Sequence, residues 1–166
     1  MNKLFAIVAL TLGCVSLLWI PSAGASNDEA EIRKLFDDWA KAMRAHDVDG
    51  IMAIYAPDVV AYDVVPPLQY VGADAYRKDY QEILGQYEGP LEIEIRDLHI
   101  VVGGTVAYAT AFERIGGTLK NGQRADLWIR DTSCFQKING KWKDTHDHAS
   151  VPVDFSTGKA ALDLKP

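Results

Sequence analysis

The chain has 166 residues, nearly half of them apolar, and 17 basic against 23 acidic side chains give it a formal charge of −6. An acidic chain without a basic run has no electrostatic footprint for nucleic acid or an anionic membrane. Of its two cysteines, Cys14 lies in an apolar leader, which leaves Cys134 without a partner for an internal disulfide and excludes a zinc site built from several cysteines.

The first 25 residues stand apart. Lys3 precedes a mostly apolar run from Leu4 to Ile20, Pro21 closes the run, and Ala23-Gly24-Ala25 supplies small residues for a signal peptidase. This reads as a secretory signal peptide over 1–25, predicting an exported protein, periplasmic or secreted, with no membrane contact after cleavage. A retained anchor and a lipid attachment at Cys14 are the competing readings; the apolar run is slightly short for a span, which needs about 20 residues. What remains, 26–166, has the length of one domain with one core.

Ser26-Asn27-Asp28-Glu29 has the form of a capping box, and Ile32, Leu35, Phe36, Trp39, Ala42 and Met43 recur behind it at helical spacing. The spacing predicts a helix from about Glu29 to Ala45. A second, Val48 to Tyr55, stops before Pro57. Val59 to Tyr62 reads as a short strand, Pro66-Pro67 as a loop, and Ala73 to Tyr87 as a third helix closed by Gly89-Pro90. The period then changes to two. Leu91, Ile93 and Ile95 alternate with charged residues; Val106 to Ile115 carries Tyr108 and Phe112 on one face and Ala107, Ala109 and Ala111 on the other. Two further strands, Ala125 to Ile138 and Lys141 to Val151, flank Asn139-Gly140, a strong type I′ hairpin signal. Helices first and an antiparallel meander after them predict an α+β domain, with helices on one side of a curved sheet and a hollow suited to a small organic molecule.

With a two-residue turn, Ile138 pairs with Lys141, and simple counting places Thr132 opposite Asp147, Arg130 opposite Ala149, Asp131 opposite His148 and Ser133 opposite His146. A bulge would exchange the faces. On this register Arg130, Thr132 and Asp147 share a face with room for a guest. Arg130 then either fixes an anionic or carbonyl group or pairs with an acid such as Asp147. His146 and His148 could hold a metal with Asp144 or Asp131, or lie at an interface; Asp131 and His148 read as an acid–base dyad or as a plain cross-strand pair. Asp63 ends the short first strand among Val64, Val65 and Pro66, where partial desolvation would make it a better general base, or it is a turn residue in water.

Asp47-x-x-x-Ile51-x-x-Ile54-Tyr55-Ala56-x-Asp58 followed by Tyr62-Asp63 resembles the second helix and first strand of the ketosteroid isomerase family. Trp142-x-x-x-His146-x-His148-x-Ser150 and the tail from Thr157-Gly158-Lys159-Ala160 to Pro166 resemble its SnoaL-like branch, and the Trp-x-x-x-His-x-His-x-Ser run is also similar to the association domain of calcium/calmodulin-dependent kinase II. The resemblance implies the cone-shaped nuclear transport factor 2-like fold. It puts Asp63 where the isomerase keeps its proton-shuttling aspartate, Trp39 where the family has an oxyanion-hole tyrosine, and Thr132 near a protonated aspartate. It further implies that Arg130, Thr132 and Asp147 face the cone, that Trp142, His146 and His148 lie on the outer sheet face, and that two copies form a homodimer. The resulting assignment has Asp63 as catalytic base and Trp39, Tyr62, Arg130, Thr132, Asp147 and His148 as ligand contacts, with no cofactor and no bound metal; whether His148 faces pocket or interface stays open. The activity implied is cofactor-independent isomerase, cyclase or dehydratase chemistry on a carbonyl compound. A non-catalytic binding or assembly module of the same fold is the alternative.

Overall fold

The computed structural model describes residues 23–166, with side chains from Asn27 onward. Nearly all of the expected signal peptide, and with it any test of that reading, lies outside the described residues. Helix α1 spans Ala23–Ala45, so it runs through the Ser26–Glu29 segment instead of starting on it. Its buried face is the expected one: Ile32, Phe36, Trp39, Ala40 and Met43 turn inward. Helix α2, Val48–Met52, is capped by Asp47, whose side chain accepts from the Gly50 amide. It ends three residues sooner than expected because β1, Tyr55–Tyr62, starts at Tyr55. Strand β2 (Tyr70–Val71) leads into α3 (Ala73–Leu84).

Four long strands follow: β3 Tyr87–Gly103, β4 Val106–Leu119, β5 Arg124–Ile138 and β6 Lys141–Ser150, with a small separate hairpin of β7 (Val153–Asp154) and β8 (Lys159–Ala160). The main sheet has the order β2-β1-β6-β5-β4-β3. β1 returns parallel to β6, while β3 to β6 form the expected antiparallel meander. α1 and α3 cover the concave side. One core cluster joins Trp39, Met43, Ile51, Tyr76 and Tyr80; a second joins Ile32, Phe36, Phe135 and Trp142.

The β5–β6 register departs from simple counting. The turn is as expected, Ile138 opposite Lys141, and pairing holds as far as Phe135 with Asp144. There it slips by one, so that Cys134 meets His146, Ser133 meets Asp147 and Thr132 meets His148. Thr145 is the extra residue, and its hydroxyl donates to the Cys134 carbonyl at 3.0 Å. This bulge changes which side chains face inward beyond it. Asp131, Ser133, Asp147 and Ala149 face the hollow, while Arg130, Thr132, His146 and His148 share the convex face. Trp142, expected outside, is buried against Phe36 before the bulge and donates its indole N–H to Asp28.

Candidate functional site

A cavity of about 210 Å³ lies between α1, α3 and the concave face of the sheet. Its walls are mainly aromatic and aliphatic, from Phe36, Trp39 and Met43 on α1, Tyr76 and Tyr80 on α3, and Ile129 on β5. Into this apolar lining four carboxyl groups project: Asp63, Glu113, Asp131 and Asp147. The register explains the convergence. On β4, Ala107, Ala109 and Ala111 face inward, and Glu113 continues their alternation. Asp131 is opposite Ala111 and Ala149; Asp147 is opposite Ser133; Ala61 of β1 is opposite Asp147, with Asp63 two residues further along. Three neighbouring strands and the segment just after a fourth thus bring one acid each.

Burial, with no neighbouring guanidinium or ammonium group among the described residues, disfavours the ionised form of every one of these acids. Burial pushes Glu113 up to about 8, with the negative charges of Asp147 and Asp63 adding to the effect. Asp131 is held well above the usual carboxylate range by burial and by Asp147 and Glu113. Burial raises Asp147 to about 6, against the lowering effect of the Tyr55 hydrogen bond. Asp63 is raised by burial too, opposed chiefly by the Val64 amide, which donates to its Oδ1 at 2.5 Å. Behind the cavity, Asp144 is fully buried with neither carboxyl oxygen hydrogen-bonded among the described residues, and it too is raised by burial first and by Asp147 next.

A line of hydroxyl groups ends on Asp147. The Tyr55 hydroxyl donates to Asp147 Oδ2 at 2.8 Å and stands 2.7 Å from the Tyr80 hydroxyl. Because the Tyr55 proton is committed to Asp147, Tyr80 donates to Tyr55, and Tyr80 itself accepts from the Trp39 indole N–H at 3.2 Å. All three donors therefore point the same way, toward the Asp147 carboxylate. The Tyr76 hydroxyl sits 3.5 Å from Asp63 Oδ2. Asp131 accepts from Ser133 at 2.9 Å. Glu113 makes no hydrogen bond among the described residues, although it is only 5% exposed.

Of the residues singled out from sequence, Asp63, Trp39 and Asp147 line the cavity. Tyr62, Arg130, Thr132 and His148 do not. Tyr62 is 39% exposed and sets its ring edge-on to His146 and His148, at 4.8 and 5.4 Å. Arg130 is exposed on the convex face, so neither the pocket anchor nor an Arg130–Asp147 ion pair forms. The Thr145 bulge accounts for Arg130 and Thr132, because counting through it puts them on the face of Asp147; His148 is next to Asp147 on one strand and points the opposite way with or without the bulge. The bulge also separates His148 and His146 from Asp131 and Asp144, on opposite sides of the sheet; His146 instead turns its Nδ1 to the Val60 carbonyl at 2.8 Å. Among the described residues no three His, Cys, Asp or Glu side chains are placed so as to hold a metal ion together. Sequence reasoning missed Glu113, Tyr55, Tyr76 and Tyr80 as lining groups. The signal for Glu113 was present, an acid continuing the alanine-lined face of a strand. Tyr76 and Tyr80 stand four apart on one helix face.

A family model described as a SnoaL-like domain matches residues 32–154. An NTF2-like protein of unknown function from Pseudomonas putida KT2440 superposes with a TM-score of 0.78 at 35% identity, over 85% of this chain and 98% of that one. An NTF2-like superfamily protein from Salmonella enterica serovar Typhimurium gives 0.71 at 19% identity, over 81% and 98%. A ketosteroid isomerase-like protein from Erwinia carotovora atroseptica gives 0.62 at 18% identity, over 74% and 96%. No curated protein matches the chain. Together with the curved sheet and its helix-covered hollow, these likenesses define an NTF2-like α+β fold. Within that fold, the chain belongs to the SnoaL-like domain family.

Proposed function

We propose that the cavity is a proton-transfer site acting on a small carbonyl compound, by isomerisation, cyclisation or elimination. The observation that carries this reading is the pairing of two unlike carboxyls on one enclosed apolar cavity: Asp63, and Glu113, which burial pushes up to about 8. At neutral pH Glu113 is a neutral acid with a proton to donate, and Asp63, at the exit of β1 with the Val64 amide on its Oδ1, takes the accepting role. Carboxyls whose environments separate their acidities are suited to opposite roles.

In this mechanism Asp63 takes a proton from the carbon next to the carbonyl. The electron pair moves onto the carbonyl oxygen, and the Glu113 O–H stabilises the developing oxyanion in a site where few waters compete. Asp63 then returns the proton to a second position or to a leaving group. The chemistry requires only proton transfers, so the catalyst ends as it began. Trp39, whose N–H is committed to Tyr80, acts as wall and as the first donor of the line ending on Asp147, not as an oxyanion donor.

Export and pairing of two copies are part of the same proposal. Export is supported by the leader sequence alone. Pairing is supported by the exposed convex face, which carries Tyr62 and, with two strands between, Val106 and Tyr108 at 55% and 45% exposure.

The test is hydrogen–deuterium exchange at the α-carbon of small cyclic ketones, followed by proton NMR in heavy water. The expected result is exchange above the buffer rate, lost in Asp63→Asn with its circular dichroism unchanged. Exchange that survives Asp63→Asn overturns the assignment.

A further inference from the structure

We propose that the natural ligand of this cavity carries a positively charged nitrogen, a protonated amine or a quaternary ammonium, seated against Asp147 and the faces of Tyr55, Tyr76 and Trp39. The inference deepens the proton-transfer reading and rests on it for the site of chemistry. The substrate class becomes a small carbonyl compound that also bears a basic nitrogen.

The first observation is charge without complement. Among the described residues, four carboxyl groups line the cavity and no lysine, arginine or histidine does. The groups facing Asp147 are Tyr55 and Asp63 from β1 and its exit, Tyr76 and Tyr80 from α3, Glu113 from β4, Asp131 from β5, and Asp144 and His146 from its own strand. Only His146 can become cationic, and it lies across the sheet with a ring nitrogen on the Val60 carbonyl. An anionic ligand would add charge to this set. A cation supplies what the set lacks.

The second observation is the Glu113 carboxyl itself. It is aimed into the cavity, 5% exposed, and without a hydrogen-bond partner among the described residues. Its carboxyl opens onto the cavity, so whatever fills the cavity meets a neutral O–H there, a donor for the ligand's carbonyl oxygen, and leaves Asp147 to the nitrogen.

Third, the walls suit a cation. The Tyr55 and Tyr76 rings meet edge-on with centroids 5.1 Å apart, Tyr76 and Tyr80 lie at 4.8 Å, and Trp39 bonds to Tyr80 beside them. Aromatic faces attract ammonium groups, more strongly where water is excluded. Asp147 accepts the Tyr55 hydroxyl, behind which Tyr80 and Trp39 donate in series, so its charge is held at the aromatic end of the cavity. Size sets the remaining limit. A cavity of about 150 Å³ holds a benzene molecule, so about 210 Å³ admits one ring and a short substituent.

Three probes of one size separate the possibilities: benzylamine, benzyl alcohol and benzoate, titrated at pH 7.5 into the purified chain and into Asp63→Asn, followed by calorimetry. The expected result is that benzylamine binds at least tenfold more tightly than benzyl alcohol in both proteins and that benzoate does not bind. Asp147→Asn should reduce benzylamine to the level of the alcohol. Should that variant fail to fold, the unmodified chain at pH 5, where Asp147 is largely protonated, should show the same loss of preference. No binding of benzylamine at millimolar concentration, benzylamine no tighter than the alcohol, or a preference that survives both Asp147→Asn and pH 5 overturns the inference. Retained amine preference with ketone exchange insensitive to Asp63→Asn would instead sink the catalytic reading and leave the ligand class standing.

Discussion

The Tyr55 hydroxyl donates to Asp147 at 2.8 Å from a strand that runs parallel to the one carrying the acid. Ala61 and Asp147 are register partners in the same pairing, so the parallel β1–β6 contact both completes the sheet and ties the Trp39–Tyr80–Tyr55 line to the carboxylate.

Tyr55→Phe removes the last donor of that line. A buried hydrogen bond to a charged group contributes about 1.5–3 kcal/mol. Chemical denaturation at pH 7.5 should show a loss of that order. The Asp147 carboxyl should titrate above its value of about 6, since the hydrogen bond that lowers it is gone.

Stability should fall as pH rises through neutrality. Glu113 and Asp147 titrate at about 8 and about 6 in the folded chain, above the ordinary 4.5 and 3.8. Between those values the folded state binds more protons than the unfolded chain, so the free energy of unfolding decreases with pH. The slope is about 1.4 kcal/mol per pH unit for each full proton of difference. The carboxyls of Glu92 and Asp126, lowered chiefly by Arg124 and Arg114 hydrogen bonds, act oppositely, but only as pH falls below about 4. Thermal unfolding should therefore give a higher Tm at pH 5 than at pH 8. Glu113→Gln should flatten the alkaline limb, and an unchanged slope would show that Glu113 does not titrate there.

The bulge is open to a direct test. Thr145→Val removes the hydroxyl that donates to Cys134, at a cost of about 1 kcal/mol. Deleting Thr145 removes the extra residue, so that alternation runs uninterrupted from Asp144 through His146 while Asp147 and Ala149 keep facing the hollow. That deletion should leave binding of ring-sized ligands in the cavity intact, and loss of binding in a folded variant would contradict the register described.

Asp63→Asn should lower catalysed α-proton exchange by the 10²- to 10⁴-fold that a positioned general base contributes, with little change in ligand affinity. The rate in small cyclic ketones checks this.

Much of the fold was legible because periodicity is a local signal. The α1 stripe from Ile32 to Met43, the alternation of β4 and the Asn139-Gly140 turn all came through with their faces or partners correct. The site was legible only where it depended on such signals. Asp63 and Trp39 could be placed, one at a strand exit and one on a helix stripe. Arg130 and Thr132 could not, because their face relative to Asp147 is decided by one extra residue, and a bulge at a threonine leaves no mark on the pattern that a regular strand lacks. Glu113 was hidden for another reason: its alternation placed it inward, yet a glutamate without a partner is a poor candidate for burial until the neighbouring acids that keep it neutral are seen beside it.

The central claim is that the cavity holds a neutral acid opposite a base. Carbon-detected NMR titration of the side-chain carboxyls tests it most directly. The account predicts one glutamate carboxyl titrating near 8 and absent from the spectrum of Glu113→Gln. A spectrum in which every glutamate titrates below 5 would contradict it.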